Sequence, residues 1–280
     1  METEFQKLMS LGWNLPPVNS AGHFAPVKID ESKISFPAEK FDSEAINNEA
    51  SGFWALQRAE LIARMLQTQG VSIIWEIGAG NGNVAIPLRN LGLNVLPVEP
   101  LQTGAITLHK NGFATFCSTL EDLKLPENSI ATIGAFDVLE HLENPQTFLS
   151  EVFRVLEPGG LFICSVPAYQ WLFSDFDVSI GHYRRYTKKM IEGSLLSSGL
   201  EMVSTRYLFG FLVPVAFVLR RIVPFFKKGG AKLRNSKPGG SESKLFNKLA
   251  LIFKFFVLVE QKLRLPLGLS LFSMAQKPLK

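Results

Sequence analysis

The chain has 280 residues, 46% of them hydrophobic and 19% charged, which suits one large globular domain with an insertion or two small domains. Its two cysteines, Cys117 and Cys164, have no metal-like spacing and argue against a disulfide framework, so reduced thiols in a cytoplasmic protein are expected. The net charge of +4 is uneven: residues 220–248 hold nine basic residues against one acid, Glu242, giving that segment +8 and the remainder −4. Such concentration suggests a local anionic partner rather than a nucleic acid, whose binders spread charge over a folded face.

Residues 1–45 read as an irregular N-terminal extension, in which Pro16, Pro17, Pro26 and Pro37 break any long helix. No basic stretch followed by an apolar run opens the chain, so no secretory leader is expected. From Ser43 to Gln69 the pattern is helical, with Gly70 as the stop. Apolar runs then alternate with helical stretches. Strands are expected at VSIIWEIG (71–78), NVLPVEP (94–100), FATFC (113–117) and IATIGAF (130–136). LENPQTFLSEVFRVLEPGG (142–160) reads as an amphipathic helix ended by its glycines, and LFICSVP (161–167) as a further buried strand. LEMVSTRYLFG (200–210) fits a sixth strand and LGLSLFSMAQKP (267–278) a seventh. The alternation argues for a mostly parallel sheet with helices on both faces.

WEIGAGNGNVA (75–85) places three glycines after the first strand, where a ligand can approach the backbone. The pattern is E-x-G-x-G-x-G, so the third glycine falls one residue early for a dinucleotide fingerprint, which disfavours a nicotinamide oxidoreductase. Glu99 ends the second strand at the spacing from which a carboxylate can accept ribose hydroxyls. FDVLEH (136–141) ends the fourth strand, and SDFDVSIGHYRRYTKKM (174–190) crowds acids, a histidine, tyrosines and arginines after the fifth.

Taken in order, EIGAGNGN, Glu99, STLEDLKLPENS (118–129), FDVLEH and FRVLEPGGLFICSVP resemble the class I S-adenosylmethionine-dependent methyltransferases, in the branch that includes the ubiquinone-biosynthesis type. G-H-Y-R-R-Y-T resembles a subgroup associated with lipids or cell-surface glycans. The resemblance implies a Rossmann-like α/β sandwich with a seven-stranded, mostly parallel sheet and an antiparallel last strand. The methyltransferase domain would span 46–208 and 265–280, with a hydrophobic and basic helical insertion over 209–264 between strands six and seven.

The resemblance also implies roles for single residues. Gly78, Ala79, Gly80 and Gly82 would cradle the methionine part of S-adenosylmethionine, with Glu76 anchoring the loop. Glu99 would hold the ribose hydroxyls and Pro100 lie beside the adenine. Where the family places an Asp that bonds the adenine amino group, this chain has Thr119, followed by Leu120, whose N–H would face the ring. Phe136 and Asp137 would lie near the methionine end.

His141 and His182 are the candidate bases for an acceptor hydroxyl, each also readable as a pocket-shaping histidine. Asp177, Tyr183, Arg184, Arg185 and Tyr186 are candidate acceptor contacts, with structural ion pairing of the arginines to Asp175 or Asp177 as the other reading. Phe53 and Trp54 form either a lid over the sulfonium or core packing. No metal is expected. The expected reaction is methyl transfer, at oxygen, to a small or lipid-linked acceptor. A non-catalytic cofactor-binding scaffold on a membrane complex is the alternative.

In the insertion, YLFGFLVPVAFVL (207–219) and LALIFKFFVLVE (249–260) flank the basic stretch. Both runs are shorter than the ~18–20 residues a spanning helix needs. They read either as interfacial helices on an anionic membrane, peripheral to its inner face, or as a cover for the substrate pocket.

Overall fold

The computed structural model describes residues 2–22, 24–25, 34–37, 53–218 and 265–279. The start of the expected first helix (43–52), the side chains of Phe53 and Trp54, and residues 219–264 of the insertion lie outside the described residues.

In chain order the elements are α1 (Glu2–Ser10), α2 (Phe53–Thr68), β1 (Ile73–Ile77), α3 (Ala85–Asn90), β2 (Asn94–Val98), α4 (Gln102–Lys110), β3 (Ile130–Phe136), α5 (Pro145–Val155), β4 (Leu156–Pro167), α6 (Asp175–Ser179), α7 (Lys188–Ser197), β5 (Glu201–Leu208), α8 (Val213–Phe217) and β6 (Ser270–Gln276). The sheet order is β2-β1-β3-β4-β6-β5. β2, β1, β3 and β4 pair in parallel, while β6 is antiparallel to both β4 and β5. Alternate residues of each strand serve opposite faces. Ile74 and Val95 pack with α2, α3 and α4 on one side, and Trp75 and Leu96 with α5 and α7 on the other. The result is the expected three-layer α/β sandwich.

The strand count differs from expectation. Among the described residues the sheet has six strands, because FATFC makes isolated bridges instead of a ladder. Phe116 donates to Pro97 O and accepts from the Glu99 N–H, both at 2.9 Å. The next rung would need an N–H from residue 97, and proline has none, so the ladder stops after one bridge. The outer edge of this segment is covered by Phe24, which bonds Thr115 O and the Cys117 N–H.

The expectation of an irregular N-terminus is also corrected. Residues 2–10 form α1, which precedes the first proline and packs on an aromatic cluster. Phe116 lies at its centre, stacked on Trp75 and Phe24, with Phe5 edge-on and Trp13 tilted against it. Trp13 Nε1 donates to Leu123 O at 2.9 Å, so this buried indole is satisfied.

α5 begins as its sequence dictates, with Asn144 capping the Gln146 N–H at 3.1 Å and Pro145 in the first turn. It ends at Val155, five residues before the expected glycine stop, and LEPGG instead enters β4 through a register shift opposite Ile130 and Thr132. The buried Lys277 fixes this irregularity. Its ammonium donates to Asn128 Oδ1 (2.7 Å), Leu156 O (2.9 Å) and Arg154 O (3.3 Å), meeting carbonyls that the end of α5 leaves open. Replacing Lys277 with Ala removes the donor that these acceptors share, and is expected to lower stability by about 2 kcal/mol. Urea unfolding checks this as a lower midpoint with an unchanged slope.

Candidate active site

β2 and β3 flank β1 on opposite sides, so the carboxyl end of β1 opens on a crevice where the chain direction switches. A cavity of about 630 Å³ occupies it, within the range of small-molecule sites. Gly78 and Ala79 fold back onto β2 by donating to Val98 O at 2.8 and 3.2 Å. Gly78 has φ +69°, and a Cβ there would sit 2.6 Å from Val138 Cγ2, so no side chain fits. Gly80 has φ +56° and nothing within 4 Å of its Cβ position, which leaves bare backbone facing the cavity. Gly82 does not line the cavity; its missing side chain admits Ile86 and Leu108 at 3.0–3.1 Å and lets α3 pack against α4.

Glu99 is 4% exposed. Its Oε2 accepts the Gly80 N–H at 2.7 Å and its Oε1 the Leu101 N–H at 2.8 Å. One carboxylate thus ties the glycine loop to the turn after β2. Glu76, on β1, is buried, and its Oε2 has no hydrogen-bond partner among the described residues. Burial pushes its carboxyl up to about 8, Arg58 opposing the shift and Glu99 adding to it.

Asp137 follows β3 in the left-handed region at φ +57°. Three contacts hold it there: its N–H donates to Ser165 O (2.9 Å), Ser165 Oγ donates to Oδ1 (3.0 Å), and Arg58 pairs with Oδ2. A non-glycine residue held in this conformation is a feature that clusters at functional sites. Pro100, Thr119, Leu120 and Phe136 also line the cavity. The Thr119 hydroxyl is engaged in a turn, donating to Asp122 Oδ2 (3.0 Å) and accepting the Asp122 N–H (3.1 Å).

The far end of the cavity holds His141 and His182, their rings edge to face at 4.6 Å. Burial, with His182 beside it, pulls His141 down to about 4. Ser35 donates to His141 O at 2.9 Å, and Phe36 lies edge-on to the ring. His182 Nδ1 lies 3.2 Å from Asp177 Oδ1, and its Nε2 lies 3.9 Å from Glu140 Oε1. Glu140, fully buried, makes no side-chain hydrogen bond among the described residues, and burial together with Asp137 raises its pKa well above the usual carboxylate range. Glu140, His141 and His182 each place a ligand atom within 4.8 Å of the others, a set suited to a divalent cation.

Of the candidate acceptor contacts among the described residues, only Arg185 lines the cavity. It is buried and pinned, with Nε and Nη2 2.8 and 2.7 Å from Asp177 Oδ1. Tyr186 is buried and donates to Leu139 O at 3.1 Å. Arg184 turns to Glu143 O (2.7 Å), and Tyr183 is half-exposed. The side chain of Trp54 lies outside the described residues.

A profile of the methyltransferase domain family matches residues 75–164, which run from β1 through most of β4. Residues 75–164 are a class I methyltransferase domain. Ubiquinone biosynthesis O-methyltransferase of Bradyrhizobium diazoefficiens is 31% identical over 123 residues, 42% of this chain and 48% of that one. The chain therefore spans about half the length of the curated relatives it matches. Among solved structures, a protein from Galdieria sulphuraria assigned as a sarcosine dimethylglycine methyltransferase aligns with a TM-score of 0.52 at 15% identity, over 80% of this chain and 87% of that one. The [4+2]-cyclase SpnF aligns at 0.51 and 16% identity, over 80% and 82%. At such identities these structures establish the fold alone.

The cofactor of such a domain is S-adenosylmethionine, and the methyltransferase cavity fits it: a bare glycine backbone at Gly80, the acid Glu99, and the unpartnered Glu76 oxygen meet in one hollow. Sequence reasoning missed Arg58, Ser165, Glu140 and Glu121 at this cavity or beside it. Glu140 stood next to His141, and Glu121 two residues past Thr119, so adjacency to the named residues was the available signal.

With Glu76 raised to about 8, the folded chain keeps a proton there that the unfolded chain releases near 4.5. The stability of the cofactor-free protein should therefore fall as pH rises between those values, by up to about 1.4 kcal/mol per unit from this group. Glu76→Gln should flatten that decline in urea titrations across the window; an unchanged slope contradicts the assignment.

Proposed function

We propose that the chain transfers a methyl group from S-adenosylmethionine to a hydroxyl of a small or lipid-linked acceptor. The observation that carries the reading is the Glu99 clamp on Gly80, set beside the unpartnered Glu76 in an open cavity of a methyltransferase domain. The bound cofactor supplies a methyl group on a sulfonium, so the chain's own work is positioning, exclusion of water and removal of a proton.

Gly78, Ala79 and Gly80 would hold the methionine end of the cofactor, and Glu76 would pair with its ammonium group. Glu99, at the cavity wall, would hold the ribose hydroxyls. Pro100, Leu120 and Phe136, which line the cavity, would hold the adenine and the sulfur, and Glu121 would supply the acid absent at Thr119. Asp137, held by Arg58 and Ser165, sets the wall near the transferring methyl.

His182 is the base: Asp177 orients its Nδ1 and leaves Nε2 to take the acceptor proton. His141, neutral at physiological pH, packs against it and shapes the pocket. Arg185 and Tyr186 support this arrangement from below. The non-catalytic scaffold reading gives the paired histidines no work. One observation favours a second mechanism: the donor set of Glu140, His141 and His182 suits a divalent cation that would lower the acceptor hydroxyl pKa.

The curated relative named for O-methylation in ubiquinone biosynthesis supports oxygen as the methylated atom. Among the described residues no helix is long and apolar enough to cross a membrane. The apolar runs flanking the +8 stretch support a peripheral site on the inner, anionic face of a membrane.

Calorimetry with S-adenosylmethionine should give saturable binding that Gly80→Val and Glu99→Ala each abolish or weaken by at least about tenfold; unchanged affinity in both variants refutes the site. Binding at pH 7 should release protons, because an ammonium beside Glu76 restores its ionised form; equal heats in buffers of different ionisation enthalpy contradict this. Transfer of labelled methyl into a fractionated native extract should fall about 10²–10⁴-fold in His182→Ala with cofactor affinity intact. Loss of transfer on chelation, restored by a divalent metal, would instead select the cation mechanism.

A further inference from the structure

The rim of the cavity is apolar, rigid and open to solvent. α6 is anchored from below by Asp177, which is fully buried. Asp177 Oδ2 accepts from the Ser174 N–H (3.0 Å) and Oγ (3.1 Å), while Oδ1 takes the Arg185 guanidinium at 2.7–2.8 Å. The helix fixed in this way turns Phe176 and Val178 outward, 52% and 62% exposed, and Phe176 also forms part of the cavity wall. Across the mouth, Ala216 lines the cavity and the next two residues, Phe217 and Val218, are exposed. Phe217 meets the exposed Trp171 edge to face at 5.8 Å. A chain has no folding reason to pin a helix by a buried ion pair only to present phenylalanine and valine to water.

Basic side chains flank this rim, and a strongly basic stretch follows it in sequence. Arg184 is 5.8 Å from the ring of the half-exposed Tyr183, and Lys188 and Lys189 follow as exposed residues. Against them stand the exposed Asp175 and Glu143, and Glu192, which pairs with Lys188 at 3.8 Å, so the positive excess is carried by the stretch that follows in sequence. Val218 leads directly in sequence to the +8 stretch that begins at Arg220. Aromatic and aliphatic side chains beside arginine and lysine are the composition that settles at the headgroup boundary of a bilayer.

We propose that this rim docks on an anionic phospholipid bilayer, so that the cavity mouth faces the lipid and an amphiphilic acceptor enters from it. The proposal rests on the reading of the cavity as the methyl-transfer site, and it places the contact on Phe176, Val178, Trp171 and Phe217 rather than on the basic stretch alone.

The test uses the full chain with phosphatidylcholine vesicles, with and without phosphatidylglycerol. The wild type should co-sediment with the anionic vesicles and detach as salt rises. Val178→Asp and Phe217→Asp should each reduce the bound fraction about tenfold or more, as expected when an apolar anchor becomes an acid facing anionic lipid. Affinity for S-adenosylhomocysteine, measured on the same samples, should stay at the wild-type value. A wild type that remains in the supernatant overturns the proposal. So do variants that bind vesicles as the wild type does, which would place attachment elsewhere, and variants that instead split a dimer by sedimentation. Failure of the wild type to bind S-adenosylhomocysteine would overturn the functional reading without altering the vesicle result.

Discussion

A single carboxylate organises this site. Glu99 is buried where two backbone N–H groups need an acceptor, and it takes both, one from the glycine loop and one from the turn that starts α4. Charge-assisted bonds of this kind are about twice as strong as neutral ones. They hold Gly80 open toward the cavity, in a conformation that a larger residue would resist. The same carboxylate lines the cavity, so the group that shapes the hollow also forms part of its wall.

The remaining charges are arranged around that clamp by burial. Glu76 is kept away from water and lacks a partner on one oxygen, a costly state for an isolated acid. A cation entering the cavity relieves it. At the far end Glu140 and the two histidines are similarly poised, His141 neutral and His182 oriented by Asp177. Asp177 links three functions at once, capping α6, pairing Arg185 and orienting His182, so the acceptor end and the apolar rim share one anchor.

Much of the fold was legible in the sequence because its signals are local. Short β-branched runs such as IIWEI and the glycine stops at Gly70 and after β1 depend on residues next to one another. The losses are equally physical. FATFC has the composition of a strand, but its ladder depends on the partner strand, where Pro97 withholds a donor. The end of α5 depends on Lys277, more than 120 residues away, and α1 is recruited by aromatic packing that no local pattern encodes. At the cavity, Gly78 and Gly80 were legible because they belong to one turn after β1, and Glu99 because it ends the next strand. For Arg185 the sequence left two readings, acceptor contact or ion pair with Asp175 or Asp177, and only the fold shows that the pair with Asp177 is closed. Arg58 was hidden for the same reason: it sits on α2, and nothing in FWALQR announces Asp137.

The account stands or falls on whether a ligand lies against the clamped loop. Titrating S-adenosylhomocysteine into the isotope-labelled chain, while following backbone amides by NMR, tests this directly. The account expects saturable shifts at Gly78–Asn83 and at Glu99–Leu101, with the Gly80 amide among the most affected. Saturable binding that leaves those amides unmoved, and shifts a different part of the molecule, would contradict it.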